Sequence, residues 1–244
     1  MKNKTPMNIE LYNCAYNFLV RISPVDNVDR YLDVDKTKYE TITDLYRRLI
    51  FGAQNYQRMP NVIQFNNREK SIARILHNYD LDYISSCNEE SLFEEFRTEF
   101  GFKTPFSKNN LWYKWTCAAI DSARFMKRFN SVEEFDKLVK DYSADIDRKI
   151  ELPRYIASQI RGIGFALACD YLKEIGYLDY TKSDVHLKDV FETLGLSSRD
   201  DIELFRAVTQ MAEDNNISPY KVDKVFWLIC SGNYSKDGMN TALL

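Results

Sequence analysis

The residues best equipped for chemistry lie in one stretch, Leu152 to Asp189, LPRYIASQIRGIGFALACDYLKEIGYLDYTKSDVHLKD. Two helical runs are joined by Arg161-Gly162-Ile163-Gly164, and an acid and an imidazole, Asp184 and His186, follow the second run. Glycines at 162 and 164 allow a turn too tight for side chains, so main-chain N–H groups there and at the start of the next helix can converge on a phosphate. Ile163 between them is expected to plug the turn into the core. Asp184 sits where a helix with an apolar face at Val185, Leu187 and Val190 begins. A carboxylate there can cap the helix, and it can also orient a water or stabilise a developing positive charge. The roles are compatible, because the helix dipole and N–H donors favour the charged form against the pKa rise that burial causes.

Helices must position these groups. Only 8 glycines and 6 prolines interrupt 244 residues, and apolar residues recur at three- and four-residue intervals, which predicts an all-α protein. Helices are expected over about 9–22, stopped by Pro24, and over 41–54 and 111–129. Asn67 is expected to cap a helix carrying Ile72, Ile75 and Leu76, and Ser91 or the Asn88-Glu89-Glu90 segment to start the next. Ser131 with Glu134 reads as a capping box. Pro153 suits the first turn of the first hairpin helix, Gly176 ends the second, and two further helices open at Ser198-Arg199-Asp200 and Ser218-Pro219. The tail after Gly232 is expected to be loose. A two-lobed division is expected, with a central lobe over about 40–150, a second lobe from about 1–39 with 151–232, and the hairpin motif at 152–177.

With 33 basic and 36 acidic residues the net charge is −3, so any nucleic-acid face must be local. Arg154, Arg161, Lys182 and Lys188 cluster around the hairpin, and Lys114, Arg124, Lys127 and Arg128 form a second basic set. Cys14, Cys87, Cys117, Cys169 and Cys230 are widely spaced in apolar helical patterns, as reduced core residues would be, and no zinc or iron–sulfur spacing is present. No apolar run approaches a membrane span, and the N-terminus MKNKTPMNIE has no signal-peptide core, so a cytoplasmic or nuclear, monomeric protein is expected.

Leu152-Pro153, then Gly162-Ile163-Gly164, then Asp184-Val185-His186, in this order and spacing, resemble the helix-hairpin-helix DNA glycosylase superfamily, which includes endonuclease III and the 8-oxoguanine glycosylases. The resemblance is firm over about 152–194. It implies that Asp184 is the catalytic carboxylate, that His186 orients or caps, and that the partner is duplex DNA containing a modified or mismatched base. Bifunctional members carry a nucleophilic lysine two residues after the second hairpin glycine; this chain has Ala166 there, which implies base removal without strand cleavage. No iron–sulfur cluster and no other cofactor is expected, a monovalent cation at the hairpin being the one ion considered.

A flipped base needs a wedge and a pocket. Gly52-Ala53-Gln54-Asn55 resembles the loop that fills the vacated space in endonuclease III-like members, with Gln54 as the wedge and Asn55 and Arg58 beside it. Trp112, Trp115, Phe165 and Trp227 could stack on a base; Asp223, four residues before Trp227, and Asp170 are polar candidates. Two other readings stay open: a non-catalytic helix-hairpin-helix module, and a bifunctional enzyme using Lys182 or Lys114 as the amine.

Overall fold

The computed structural model describes residues 5–23, 28–32 and 39–232, and the regular structure among them is α-helical throughout. Pro24 as a helix stop and the tail after Gly232 lie outside the described residues. The chain divides into two compact units, Lys38–Tyr171 and Met1–Thr37 with Leu172–Leu244. The division falls at Tyr171, inside the helix Phe165–Glu174 and beyond the expected boundary near residue 150.

The Lys38–Tyr171 unit is built around the helix Leu111–Met126, buried along nearly all its length. Asn110 caps it by accepting the Trp112 N–H at 2.9 Å. Helices Ile42–Ala53, Leu81–Ser86 and Glu89–Phe100 pack on its faces. The first starts with a capping box between Thr41 and Asp44, and the third starts where Asn88 accepts the N–H groups of Glu90 and Ser91. The first hairpin helix, Ile146–Gln159, belongs to this unit because its own residues are spent on it. Tyr155 stacks edge-on against Phe125 and takes a hydrogen bond from Arg128, while Ile150, Leu152 and Ile156 are buried.

In the other unit the helices Pro6–Ile22, Val185–Thr193, Asp201–Asn215 and Pro219–Ser231 share a core of Leu19, Leu187, Phe191, Val208, Val225 and Phe226. A buried pair ties its two ends together: the Asn8 side-chain amide donates to Asp214 at 2.7 Å, across 206 residues of sequence.

Three local expectations are corrected. Pro153 lies in the interior of Ile146–Gln159 rather than its first turn, because Asp145 starts the helix earlier by accepting the Arg148 N–H at 2.8 Å. The helix with Ile72 and Ile75 runs from Phe65 to Ile75, so Asn67 lies within it and is not its cap. The Ser131 hydroxyl makes no cap hydrogen bond, and Glu134 accepts the N–H of Asn130, one residue before the cap, at 2.8 Å in place of the expected box.

Candidate active site

Asp184 is the N-cap of the helix Val185–Thr193, and its Oδ1 accepts the Leu187 N–H at 3.0 Å. Its second oxygen makes no hydrogen bond among the described residues, so a half-buried carboxylate oxygen is left available for chemistry. Burial raises the Asp184 pKa above the ordinary aspartate value. The Leu187 N–H opposes that rise, the Asp223 charge adds to it, and Lys182 and His186 oppose it. The helix-end donor thus opposes the rise as expected, and desolvation is the larger effect. Val185, expected on the apolar face, is 55% exposed, because as the first helical residue it precedes the turn that meets the core. His186, second in the helix, is half-buried.

The chain leading to Asp184 is pinned from two directions. Asp223, 2% exposed on the helix Pro219–Ser231, accepts the Lys182 main-chain N–H at 3.1 Å. Its same oxygen accepts the Lys173 Nζ at 3.0 Å, and both side chains of that pair are nearly buried. The Ser183 hydroxyl donates to the Asp201 carbonyl at 3.3 Å. Asp223 is thereby engaged inside the protein rather than held ready for a base. Trp227, four residues on, is half-buried against the unit's core with the Lys224 ammonium 5.3 Å from its ring centre.

In the hairpin, Gly162 adopts φ +81°, where a side chain is strained, while a Cβ on either glycine would meet nothing within 4 Å. Gly162 is therefore required by the backbone turn, and both glycines leave the turn open to a close-approaching ligand. Ile163 is 4% exposed with its N–H on the Ile160 carbonyl, so it anchors the turn and is not itself a contact surface. Arg161 is the larger correction. Its Nε and Nη2 donate to Asp121 at 2.6 and 2.9 Å and Nη2 to Glu89, and its main-chain N–H also reaches Asp121. Predicted as a DNA ligand, Arg161 is committed to two carboxylates and braces the turn. The hydrogen bond from Arg161 pulls the Glu89 pKa down to about 2, against a smaller opposing effect of burial and with help from the Tyr113 hydroxyl.

Four other basic residues are similarly occupied. Arg124 pairs with Asp121, Lys127 with Asp82 and Lys188 with Asp201, and Arg128 donates to Tyr155 and Gln159. The second basic set is therefore largely a brace, and Arg154 remains exposed on the first hairpin helix.

Gln54 is not a wedge. It is 6% exposed, and its Oε1 accepts the Phe65 N–H at 3.2 Å, capping the helix Phe65–Ile75 from a distance. Asn55 is half-buried, whereas Tyr56, Gln57 and Arg58 are exposed at the tip; Gln57 has φ +49° and donates to the Tyr56 hydroxyl at 3.1 Å. Tyr56 and Gln57 are not among the residues the sequence singles out; an aromatic and an amide next to a predicted helix end are the signal it offers for them.

Trp115 is fully buried, with its indole N–H on the Ile50 carbonyl at 2.9 Å and its ring against Phe65 and Phe96. Trp112 is 3% exposed in the same aromatic cluster, stacked on Phe96, Phe100 and Phe102. Both were base-pocket candidates and both are core. Asp170, 7% exposed on Phe165–Glu174, is likewise inside, while Phe165 and Ala166 in its first turn are half-buried. These tryptophans belong to one unit, and Asp223 and Trp227 to the other.

Among the described residues no group of three or more His, Cys, Asp or Glu side chains converges to hold a metal ion. A cation at the hairpin would have to be held by main-chain carbonyls, of which those of Ile160 and Gly164 already accept N–H groups. Nor is any described helix long and apolar enough to cross a membrane.

No family model matches the sequence, and no curated protein matches it. Among solved structures the chain is similar to Methanocaldococcus jannaschii 8-oxoguanine glycosylase/lyase in complex with a 15-mer DNA containing 8-oxoguanine, with a TM-score of 0.56 and 17% identity over 91% of this chain and 98% of that one. A structure of 8-oxoguanine DNA glycosylase from the same organism aligns with a TM-score of 0.49 and 16% identity over 93% of each chain. The helices, the glycine hairpin and the aspartate-capped helix after it therefore compose the all-α fold of that archaeal glycosylase/lyase.

Proposed function

We propose that this protein is a DNA glycosylase that hydrolyses the N-glycosidic bond of a modified or mismatched base flipped out of duplex DNA, and that it does so without cleaving the strand. The observation that carries the reading is the Asp184 carboxylate, half-buried, capped on one oxygen and open on the other, in a fold shared with a DNA glycosylase. Departure of a base leaves oxocarbenium character on the sugar, and a carboxylate beside it stabilises that charge and orients the attacking water. The open glycine hairpin supplies main-chain N–H groups for a phosphate, and Tyr56 and Gln57 replace Gln54 as the side chains that fill the vacated stack.

Ala166 supports the monofunctional part, since a methyl group can form no Schiff base. Purified protein is tested on duplexes carrying oxidised, alkylated, mismatched and hypermodified bases, with 8-oxoguanine first on the panel because the structurally similar archaeal enzyme acts on it. Release of free base with an intact strand, and no covalent adduct after borohydride, is the expected result. Binding without release from any duplex would leave a non-catalytic DNA module, and a borohydride-trapped adduct would restore the lyase. For the wedge, Tyr56→Ala is expected to lower base release by about tenfold, and less for a mismatched base that is already easier to unstack.

A further inference from the structure

We propose that the buried Lys173–Asp223 pair is the positioning device of Asp184: Asp223 grips the main chain two residues before the carboxylate, and the Lys173 ammonium holds the Asp223 side chain in the place from which it grips. The inference rests on the reading of Asp184 as the catalytic carboxylate. Lys173 comes from the last turn of Phe165–Glu174, Asp223 from the first turns of Pro219–Ser231, and Lys182 from the segment entering Val185–Thr193. One oxygen of Asp223 thus joins three parts of the chain. An ionised carboxylate that is 2% exposed needs a cation beside it, and the Lys173 ammonium, 3.0 Å away, supplies it. Thr181 and Ser183 on either side of the gripped N–H are also buried, so the grip acts on a fixed strand of chain.

The same arrangement gives Asp223 a second effect, since its charge lies close enough to Asp184 to disfavour a second anion there. The titratable and charged groups facing Asp184 are Asp223 and Cys230 from the helix Pro219–Ser231, Lys182 from the preceding segment and His186 from its own helix. Tyr220 faces the Lys173–Asp223 pair. Among these, Asp223 is both the group whose anion opposes that of Asp184 and the group that holds the backbone in place. A purely structural ion pair would affect melting alone; this one must also set the pH at which Asp184 ionises.

The experiment is a carboxyl-carbon NMR titration of Asp184 in the full chain, paired with single-turnover base release against pH, for the parent, Asp223→Asn, Lys173→Met and Lys173→Arg. Asp223→Asn keeps an oxygen for the Lys182 N–H and removes the charge, so the Asp184 midpoint and the acid limb of base release should both move to lower pH. Lys173→Met should slow single-turnover release about tenfold or more with DNA affinity retained, and Lys173→Arg should recover most of the rate. An unchanged Asp184 midpoint in folded Asp223→Asn, or parental rates in Lys173→Met, would overturn the inference. If no variant nor the parent releases base, yet the Asp184 midpoint still moves with Asp223→Asn, the positioning pair stands and the glycosylase reading falls.

Discussion

Replacing Asp184 with asparagine is expected to lower single-turnover base release by about 10³-fold, with DNA affinity kept and the melting temperature raised. Asparagine still accepts the Leu187 N–H, so the helix keeps its cap. What it loses is the negative charge that, in the proposed reaction, stabilises the sugar cation. The stability gain follows from the direction of the pKa shift. Because burial raises the folded-state pKa above the unfolded one, the favourable contribution of the protonated form is fully present below the unfolded value and is lost as pH rises through the raised one. At neutral pH the ionised side chain therefore works against folding, and a neutral isostere relieves it. Asp184→Ala separates the roles, because it removes cap and charge together and should be less stable than Asp184→Asn by about 0.5–2 kcal/mol. In the parent, base release should decline as pH falls through the raised Asp184 pKa, an acid limb above the ordinary aspartate range. Full turnover in Asp184→Asn would remove this residue from the mechanism.

Arg161→Met is expected to have the next largest consequence, and chiefly through the hairpin's geometry. It strips the partner from Asp121, which is 8% exposed, and from Glu89, and should cost about 1–3 kcal/mol of stability. The pH dependence identifies the cause. Glu89 is held at about 2 chiefly by Arg161, so its contribution is present above the unfolded pKa and is lost as pH falls toward 2. The gap in melting temperature between parent and variant should therefore be widest near neutral pH and close in acid. DNA affinity should fall about tenfold as the turn loosens, while its slope against log salt scarcely changes, because the guanidinium is occupied by carboxylates rather than a phosphate. A slope reduced by about one would instead make Arg161 a phosphate ligand.

These two residues mark how far the sequence could be read. The helices, the turn and the cap at Asp184 are local: each follows from spacing, a glycine or an aspartate within a few residues of the element it shapes. The brace made by Arg161 is not legible because its partners lie 40 and 72 residues away, and a basic residue beside a glycine turn looks the same in sequence whether it faces DNA or a carboxylate. Lys173 is illegible for the same reason, since Asp223 is 50 residues on. The tryptophans failed differently. Trp112 and Trp115 stand at helical spacing in an aromatic-rich stretch, and that pattern is the same for a stacking platform and for a core; only the carbonyl of Ile50 waiting for the Trp115 N–H distinguishes them.

Gln54 has a consequence for how this protein can change. By bonding the N–H of Phe65 eleven residues ahead, it closes the intervening chain into a ring fastened by one side chain at its base. The helices on either side are thereby registered to each other without help from the tip, where Tyr56, Gln57 and Arg58 stand in solvent. Such a ring is an interchangeable part: the tip can acquire new side chains, and in the proposed glycosylase a preference for a different base or its partner, while the framework that carries it stays as it is.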